Sequence, residues 1–171
     1  MIQINERYVF GWNALKYEPT LHIVLFQPEI PPNTGAVGRT CLALTAKLWL
    51  VRPLGFRMDE KTLRRAGLDY WQHLEWEIAN TWEDLQSRIG PDVRFFYFSR
   101  FGTNEYTSVN YQAGDCLVFG SETAGLPPSL TEPNQDHLLR IPTGPKVRSL
   151  NLASSVAVAG FEAQRQLLQK R

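Results

Sequence analysis

The stretch IPTGPKVRSLN, residues 141–151, decides the fold. It follows a short apolar segment, residues 137–141, that is typical of a buried strand. It leads directly into residues 150–170, whose apolar periodicity predicts a long helix. Most α/β nucleotide sites place a glycine-rich phosphate loop after the first strand. Here the polar, Pro/Gly-rich loop comes late in the chain, which predicts a ligand site built from C-terminal loops.

Upstream of this stretch, short apolar segments alternate with helical ones. Strands are predicted at residues 22–26, 48–51, 74–78, 93–98, 116–119 and 138–141, and helices at residues 35–46, 59–66, 81–89 and 150–170. The prolines of residues 28–32 are expected to exclude regular structure before the first helix, for which Asn33 or Thr34 would be the N-cap. The alternation predicts an α/β fold with a mostly parallel sheet and helices on both faces.

The last predicted helix carries an apolar stripe, because Leu152, Val156, Ala159, Ala163 and Leu167 recur at helical spacing. Small residues dominate this part of the helix. Such a face permits close approach, either to the sheet of the same chain or to a second subunit.

The chain of 171 residues is 43% hydrophobic and 20% charged, which predicts one globular domain over residues 21–171 preceded by an extension, residues 1–20. Neither a secretory signal nor an apolar run of the ~20 residues that span a bilayer is present. A cytoplasmic protein without a membrane partner is therefore expected. Cys41 and Cys116 lie in apolar segments and are expected to be buried thiols. The three histidines show no ligand spacing, so no metal is expected.

Charge gives a weaker indication of a nucleic-acid partner. The net charge is only +1, but residues 52–65 carry an excess of Arg and Lys. A solvated helix face is the simplest interpretation of this cluster. The alternative is an RNA-facing patch, to which Tyr70 and Trp71 would add stacking surfaces.

Three polar loops follow predicted strand ends, at residues 27–39, 119–127 and 141–151. In open α/β sheets ligands bind beyond the carboxyl ends of the strands, so these loops are expected to converge on one pocket. The chain has no Gly-x-Gly-x-x-Gly motif after its first strand, no P-loop and no Gly-x-Ser-x-Gly elbow. The sequence therefore lacks the motifs that would indicate dinucleotide binding, phosphoryl transfer or hydrolysis by a nucleophilic serine.

The three loops together resemble the SpoU branch of the SPOUT RNA 2′-O-ribose methyltransferases. The first has Pro-x-x-Pro-x-Asn-x-Gly followed by arginine, the second Phe-Gly-Ser-Glu-x-x-Gly-Leu-Pro, and the third Ile-Pro followed by Ser-Leu-Asn-Leu. The resemblance covers residues 21–168. Within the branch, PEIPPNTG at residues 28–35 and LRRAGLDY at residues 63–70 resemble the small tRNA (cytidine(34)-2′-O)-methyltransferases.

This resemblance implies a deep C-terminal trefoil knot, S-adenosylmethionine as cofactor, the tRNA anticodon loop as substrate and a homodimer. The dimer interface would include the small-residue face of the last helix and residues 28–39. The catalytic residues would be Asn33, Arg39, Glu122, Ser149 and Asn151. The cofactor would be bound by main-chain groups of Phe98, Gly120, Ile141, Ser149 and Leu150. Independently of the resemblance, RNA contacts are expected from Lys61, Arg64 and Arg65 of the basic cluster and from Arg148.

The role of Arg39 stays open at this point. The resemblance suggests that it acts on the ribose 2′-hydroxyl, as a base, as the stabiliser of an alkoxide or as a clamp on the neighbouring phosphate. Taken singly, Arg39 would more simply be a surface ion-pair partner, Glu122 a turn cap, and Asn33, Ser149 and Asn151 N-caps. Their joint order along the chain favours the catalytic interpretation.

Two positions depart from the family pattern, because Ser154 replaces an asparagine and Phe161 replaces a tyrosine that close relatives often carry. The alternatives are another tRNA position or ribosomal RNA as substrate, and a non-catalytic RNA-binding protein that keeps the fold. A Rossmann-type dehydrogenase is the remaining possibility.

Overall fold

The computed structural model describes residues 19–57 and 69–170. The predicted helix at residues 59–66 lies outside these ranges, as do Lys61, Arg64, Arg65 and most of the predicted N-terminal extension. None of the helices described in these ranges has the length and apolar character needed to cross a membrane.

The described strands form one sheet in which neighbouring strands run parallel. The order across the sheet is β3-β2-β1-β6-β4-β7-β5. The bounds are β1 His22–Phe26, β2 Lys47–Val51, β3 Trp76–Ala79, β4 Phe95–Phe98, β5 Asn104–Glu105, β6 Cys116–Phe119 and β7 Leu138–Arg140. The predicted parallel α/β fold is confirmed. Strand β5 was not predicted, because two residues carry no detectable periodicity.

Helices cover both faces of this sheet, which also confirms the prediction. They are α1 Pro31–Leu44, α2 Trp82–Ile89, α3 Pro128–Thr131 and α4 Leu152–Gln169, with short 3₁₀ segments at Asp69–His73 and Glu132–His137. Side chains alternate along each strand, so that Ile23 and Leu25 belong to one core and Val24 to the other. Helices α1 and α4 cover the first core, while α2 and α3 cover the second.

The first helix begins earlier than predicted. Pro31 and Pro32 occupy its first turn, where a missing N–H costs nothing because those amides have no partner within the helix. The N-cap is therefore Ile30, which provides no side-chain cap, and the predicted caps Asn33 and Thr34 lie inside the helix. This leaves the Asn33 side chain available for other contacts.

The small-residue face of α4 packs within its own chain. Ala159, Gly160 and Ala163 are buried, and a side chain at Gly160 would collide with Leu44 of α1. These three residues therefore pack inside their own chain, and the predicted place of the small-residue face near a subunit interface stays a prediction. A different stripe of α4 is exposed, at Val158, Phe161 and Leu168.

Trp71 is also placed differently from the expectation that it offers a stacking surface. It is 6% exposed, lies against Trp76 and fills the space beside Gly38, where a Cβ atom would collide with its ring. The indole is thus part of the core. Cys41 and Cys116 are free and fully buried as predicted, and burial raises the pKa of both thiols, so neither is a reactive nucleophile.

His22 makes the stability of the fold depend on pH. Burial, helped by the charge of Lys47, lowers the pKa of His22 to about 4 from its ordinary 6.5. The Trp49 indole N–H donates to the neutral imidazole Nδ1 at 3.1 Å. Because the native pKa is below the unfolded value, the stabilisation is present above pH 6.5 and is lost as the pH falls from 6.5 to 4. The expected loss is on the order of 3 kcal/mol in the free energy of unfolding.

Urea unfolding at pH 7, 5.5 and 4.5 measures this loss. His22→Gln keeps an acceptor near Trp49 but does not titrate, so its loss of stability over this interval should be smaller than that of the wild type by about the amount given above. The exposed His73→Gln is the matched control and should retain the wild-type dependence. Equal pH dependence in the wild type and His22→Gln would contradict the assignment.

Candidate active site

Because the strands are parallel, the carboxyl ends of β1, β4, β6 and β7 meet at one edge of the sheet, and the loops that follow them enclose a cavity there. Its volume is about 940 Å³, near the upper end of the roughly 300–1,000 Å³ range of ligand sites. Its walls are formed by residues 98–101, 119–126, 140–143 and 148–152, with Ile30, Asn33 and Ser155. The predicted convergence of the three polar loops is therefore observed, and the loop after β4 joins them.

Glu122 joins two of these loops. Its carboxylate accepts the backbone N–H of Glu29 at 2.8 Å, that of Ile30 at 3.2 Å and the Asn33 side-chain amide at 2.9 Å. It does not cap its own turn, because the hydroxyl of Ser121 accepts the N–H of Ala124 instead. Glu122 thus binds the two N–H groups directly before α1.

The hydrogen bonds continue from Asn33 to the third loop. Asn33 accepts the side-chain amide of Asn151 at 3.0 Å through its Oδ1 atom. Asn151 is the N-cap of α4, as predicted, and its Oδ1 accepts the N–H of Ala153 at 2.9 Å. Glu122, Asn33 and Asn151 therefore form one chain of donors and acceptors that sets the orientation of both amide groups.

A second contact links the same two loops, and here the first loop supplies the acceptor. The carboxylate of Glu29 accepts the backbone N–H of Thr123 at 3.1 Å and its hydroxyl at 2.7 Å. Gly120 allows the turn to fold this tightly, because a Cβ atom there would collide with the backbone of Gly125 and Leu126. Sequence reasoning missed Glu29 and Thr123. In the sequence, the only indication of their role is that they are adjacent to Ile30 and Glu122.

All five residues expected to bind the cofactor, Phe98, Gly120, Ile141, Ser149 and Leu150, line the cavity. Phe98 stacks on Phe119 with ring centroids 4.5 Å apart, and both rings are almost fully buried. Residues 141–144 and 149–150 lie outside helices and strands, so their main-chain groups are not committed to a ladder. Flat apolar walls beside irregular backbone fit an adenosyl group, which needs few charged partners.

Arg39 is not among the residues that line this cavity. It is six residues beyond Asn33 on α1, which places it ~9 Å along the helix axis and ~120° around it. Its guanidinium lies over the ring of Tyr70, 4.7 Å from the centroid, and the Tyr70 hydroxyl donates to the Gly35 carbonyl at 2.7 Å. Within one chain, the structure therefore does not bring Arg39 to Asn33, Glu122 and Asn151.

The mouth of the cavity is positively charged. Arg100, Arg140 and Arg148 line it, and all three are exposed. Arg140 lies 3.7 Å from Glu105, a contact between two exposed side chains that contributes little to stability. Arg148, which was expected to contact RNA, is one of these three exposed residues, and the contact itself stays a prediction. Arg100 and its neighbour Phe101 were not singled out from the sequence, although an Arg-Phe pair directly after a strand was a usable signal.

No three or more His, Cys, Asp or Glu side chains within residues 19–57 and 69–170 are grouped so that they could hold a metal ion. The polar side chains at the cavity are instead amides, hydroxyls, three arginines and the carboxylate of Glu122, which is already hydrogen-bonded. This donor set suits alignment of an organic ligand.

The fold and the cavity define the class, an α/β protein with a parallel sheet and a ligand site made from its C-terminal loops. The chain belongs to the SpoU rRNA Methylase family, whose model matches residues 20–161. The resemblance inferred from the three loop motifs is thereby confirmed.

Individual relatives are similar over nearly the whole region that the family model matches. A Burkholderia cenocepacia (strain HI2424) protein named tRNA (cytidine(34)-2′-O)-methyltransferase is 45% identical over 148 residues, which cover 85% of this chain and 94% of the relative. A structure described as giving structural insights into the 2-OH methylation of C/U34 on tRNA is 43% identical, with a TM-score of 0.81 over 88% of this chain and 97% of that chain. An AdoMet-bound rRNA methyltransferase from Sinorhizobium meliloti is 28% identical, with a TM-score of 0.76 over 88% of this chain and 57% of that chain.

Proposed function

We propose that this protein transfers a methyl group from S-adenosylmethionine to the ribose 2′-hydroxyl of the wobble nucleotide of tRNA. The observation that carries the proposal is the hydrogen-bonded chain of Glu122, Asn33 and Asn151, which joins three separate loops at the wall of one cavity. The substrate follows from the relatives, since the Burkholderia cenocepacia protein is named for this reaction. A cytoplasmic location, where tRNA is found, is part of the proposal.

The reaction suits these residues because it needs alignment more than chemical activation. The bound cofactor supplies a methyl group on a cationic sulfonium, so the displacement needs no metal and no covalent intermediate. The protein must hold the ribose hydroxyl in line and accept its proton. In this proposal Asn33, Ser149 and Asn151 orient substrate and cofactor. Main-chain groups of the residues Phe98, Gly120, Ile141, Ser149 and Leu150 hold the adenosyl part.

A homodimer is part of the proposal, because Arg39 lies outside the cavity of its own chain. A second copy would bring its Arg39 to this cavity and complete the site. The exposed stripe of Val158, Phe161 and Leu168 on α4 supplies apolar surface for such an association, since the three positions fall at helical spacing. An isologous contact would generate two equivalent sites.

We also infer that the chain is knotted. Strand β7 is inserted between β4 and β5, which follow each other in the chain. The turn after β4 lies directly on β7, because Ser99 donates its N–H to the Leu139 carbonyl at 2.9 Å. Helix α4 then returns to α1. This arrangement is the one expected when the C-terminal segment passes through the loop that follows β4.

Transfer of a labelled methyl group to tRNA that lacks ribose methylation tests the function. Nuclease digestion and mass spectrometry should find one 2′-O-methylated nucleotide, at the wobble position. A synthetic anticodon stem-loop with 2′-deoxyribose at that position is the matched control and should accept no label. Label in the deoxy control, or label only in ribosomal RNA, would contradict the proposed substrate. Absence of transfer to any RNA would contradict the enzymatic function.

A further inference from the structure

Phe101 is the most exposed of the large apolar side chains described, with 72% of its surface accessible. It lies at the mouth of the cavity, directly after β4. The guanidinium of Arg100 covers its ring at 4.5 Å from the centroid, an arrangement in which cation and ring attract each other. A phenylalanine this exposed gains almost no stabilisation from burial, so its place in the fold is not explained by packing.

The backbone holds this ring outward. The N–H of Phe101 donates to the Ser99 hydroxyl at 3.2 Å, and the N–H of Gly102 donates to the Ser99 carbonyl at 3.1 Å. The turn is also pressed onto β7, because a Cβ atom at Gly102 would collide with the backbone of Leu139. The chain therefore keeps residue 101 at the cavity mouth in a defined turn, which is the situation of a preorganised contact.

The surroundings of Phe101 select the kind of partner. Arg100, Arg140 and Arg148 line the same cavity and are exposed, so the mouth attracts a polyanion. The buried rings of Phe98 and Phe119 lie deeper, where the cofactor would bind. Single-stranded RNA is recognised by stacking unpaired bases on aromatic rings and guanidinium planes, beside cations that hold the phosphates.

We propose that Phe101 and Arg100 form a stacking platform for an unpaired nucleobase of the RNA substrate, adjacent to the nucleotide whose ribose is methylated. This inference rests on the proposed function. It assigns to these two residues the recognition of the single-stranded RNA segment, separate from cofactor binding and from the chemical step. The base stacks on the Phe101–Arg100 pair, and Arg140 and Arg148 hold the flanking phosphates.

The test uses an anticodon stem-loop RNA that carries 2-aminopurine at one loop position at a time, because the fluorescence of this base is quenched when it stacks. Wild-type protein should quench the probe at one or two positions beside the target nucleotide. Phe101→Leu, which is similar in size but has no π face, should abolish that quenching and raise the Kd for RNA about tenfold. Phe101→Tyr is the matched control and should retain both. The Kd for S-adenosylmethionine and the sedimentation coefficient should not change.

Other results would overturn the platform. Equal losses in Phe101→Leu and Phe101→Tyr would mean a structural role, and unchanged quenching in Phe101→Leu would mean no role. A raised Kd for S-adenosylmethionine would assign Phe101 to the adenine, and an altered sedimentation coefficient would assign it to a subunit contact.

RNA binding and quenching of the probe are measured without methyl transfer. The proposed function and the proposed platform can therefore be contradicted independently of each other. Wild-type protein that quenches the probe but transfers no methyl group would overturn the proposed function alone. Active wild-type protein whose Phe101→Leu variant binds RNA normally would overturn the platform alone. A wild-type protein that binds no RNA would overturn both.

Discussion

Arg39→Ala should lower the rate of methyl transfer by roughly 10²–10³, the loss seen when one group that stabilises developing charge is removed. The folded protein and its cofactor affinity should change little, because Arg39 is exposed and lies outside the cavity of its own chain. Its contact with the ring of Tyr70 is worth about 0.5–1 kcal/mol at an exposed site. Single-turnover rates, the Kd for S-adenosylmethionine and the Tm measure these three quantities.

Two further variants define what Arg39 does. Arg39→Lys keeps the charge but loses the planar fork, so near-wild-type activity would contradict a bidentate role on phosphate or alkoxide. Arg88→Ala is the matched control, because it removes an exposed arginine that pairs with Asp84 on α2, does not line the cavity, and should leave the rate unchanged. Full activity of Arg39→Ala would remove Arg39 from the site.

Glu122→Gln should lower the rate of methyl transfer by about 10², because three loops lose the group that aligns them. Glutamine keeps one acceptor oxygen but has an NH2 group in place of the other, and a donor cannot accept a hydrogen bond. Either the N–H of Glu29, or the N–H of Ile30 together with the Asn33 amide, therefore loses its acceptor. Leaving such partly buried donors unsatisfied should also lower the free energy of unfolding by about 1–3 kcal/mol. Rate measurements and urea unfolding of the same preparations separate the two effects.

Glu132→Gln is the matched control, since Glu132 is exposed, begins the 3₁₀ segment Glu132–His137 and does not line the cavity. It should be indistinguishable from the wild type in rate and stability. A Glu122→Gln protein with normal activity would show that the chain from Glu122 through Asn33 to Asn151 does not position the reacting groups.

Mixing the two inactive variants tests whether the site is shared between copies. If Arg39 of one copy completes the cavity of the other, co-refolded Arg39→Ala and Glu122→Gln chains contain heterodimers with one intact site. Random association would restore about a quarter of the wild-type activity in a two-fold symmetric dimer. Complete absence of recovery would place Arg39 and Glu122 of the same chain in one site and contradict the shared arrangement.

Features with strong local periodicity could be read from the sequence. The apolar segments of β1, β2 and β6 and the periodic face of α4 identify their own secondary structure, because strand and helix repeats differ. Asn151 was identifiable as an N-cap because capping depends on neighbours two and three residues away. The three loop motifs were sufficient to indicate the family, which residues 20–161 then matched.

Other features depend on contacts between residues far apart in the chain, and only the tertiary structure decided them. Glu122 lies more than ninety positions from the start of α1 and yet accepts the two N–H groups that precede this helix. Trp71 is buried because Gly38 leaves room for its ring. Local propensity does not indicate which distant residues meet or how they are oriented, so these placements could not be predicted from the sequence.

For the residues proposed for the site, too, one part was predictable from the local sequence and another part was decided by the tertiary structure. The motifs identified Asn33, Glu122 and Asn151, but only the sheet, by bringing the ends of β1, β6 and β7 to one edge, makes them a hydrogen-bonded chain. The same geometry leaves Arg39 outside the cavity of its chain and holds Phe101 at its mouth. The sequence by itself determined which side chains are available, because motif and periodicity are local. The tertiary structure decided which of them meet, because that depends on how the strands pair.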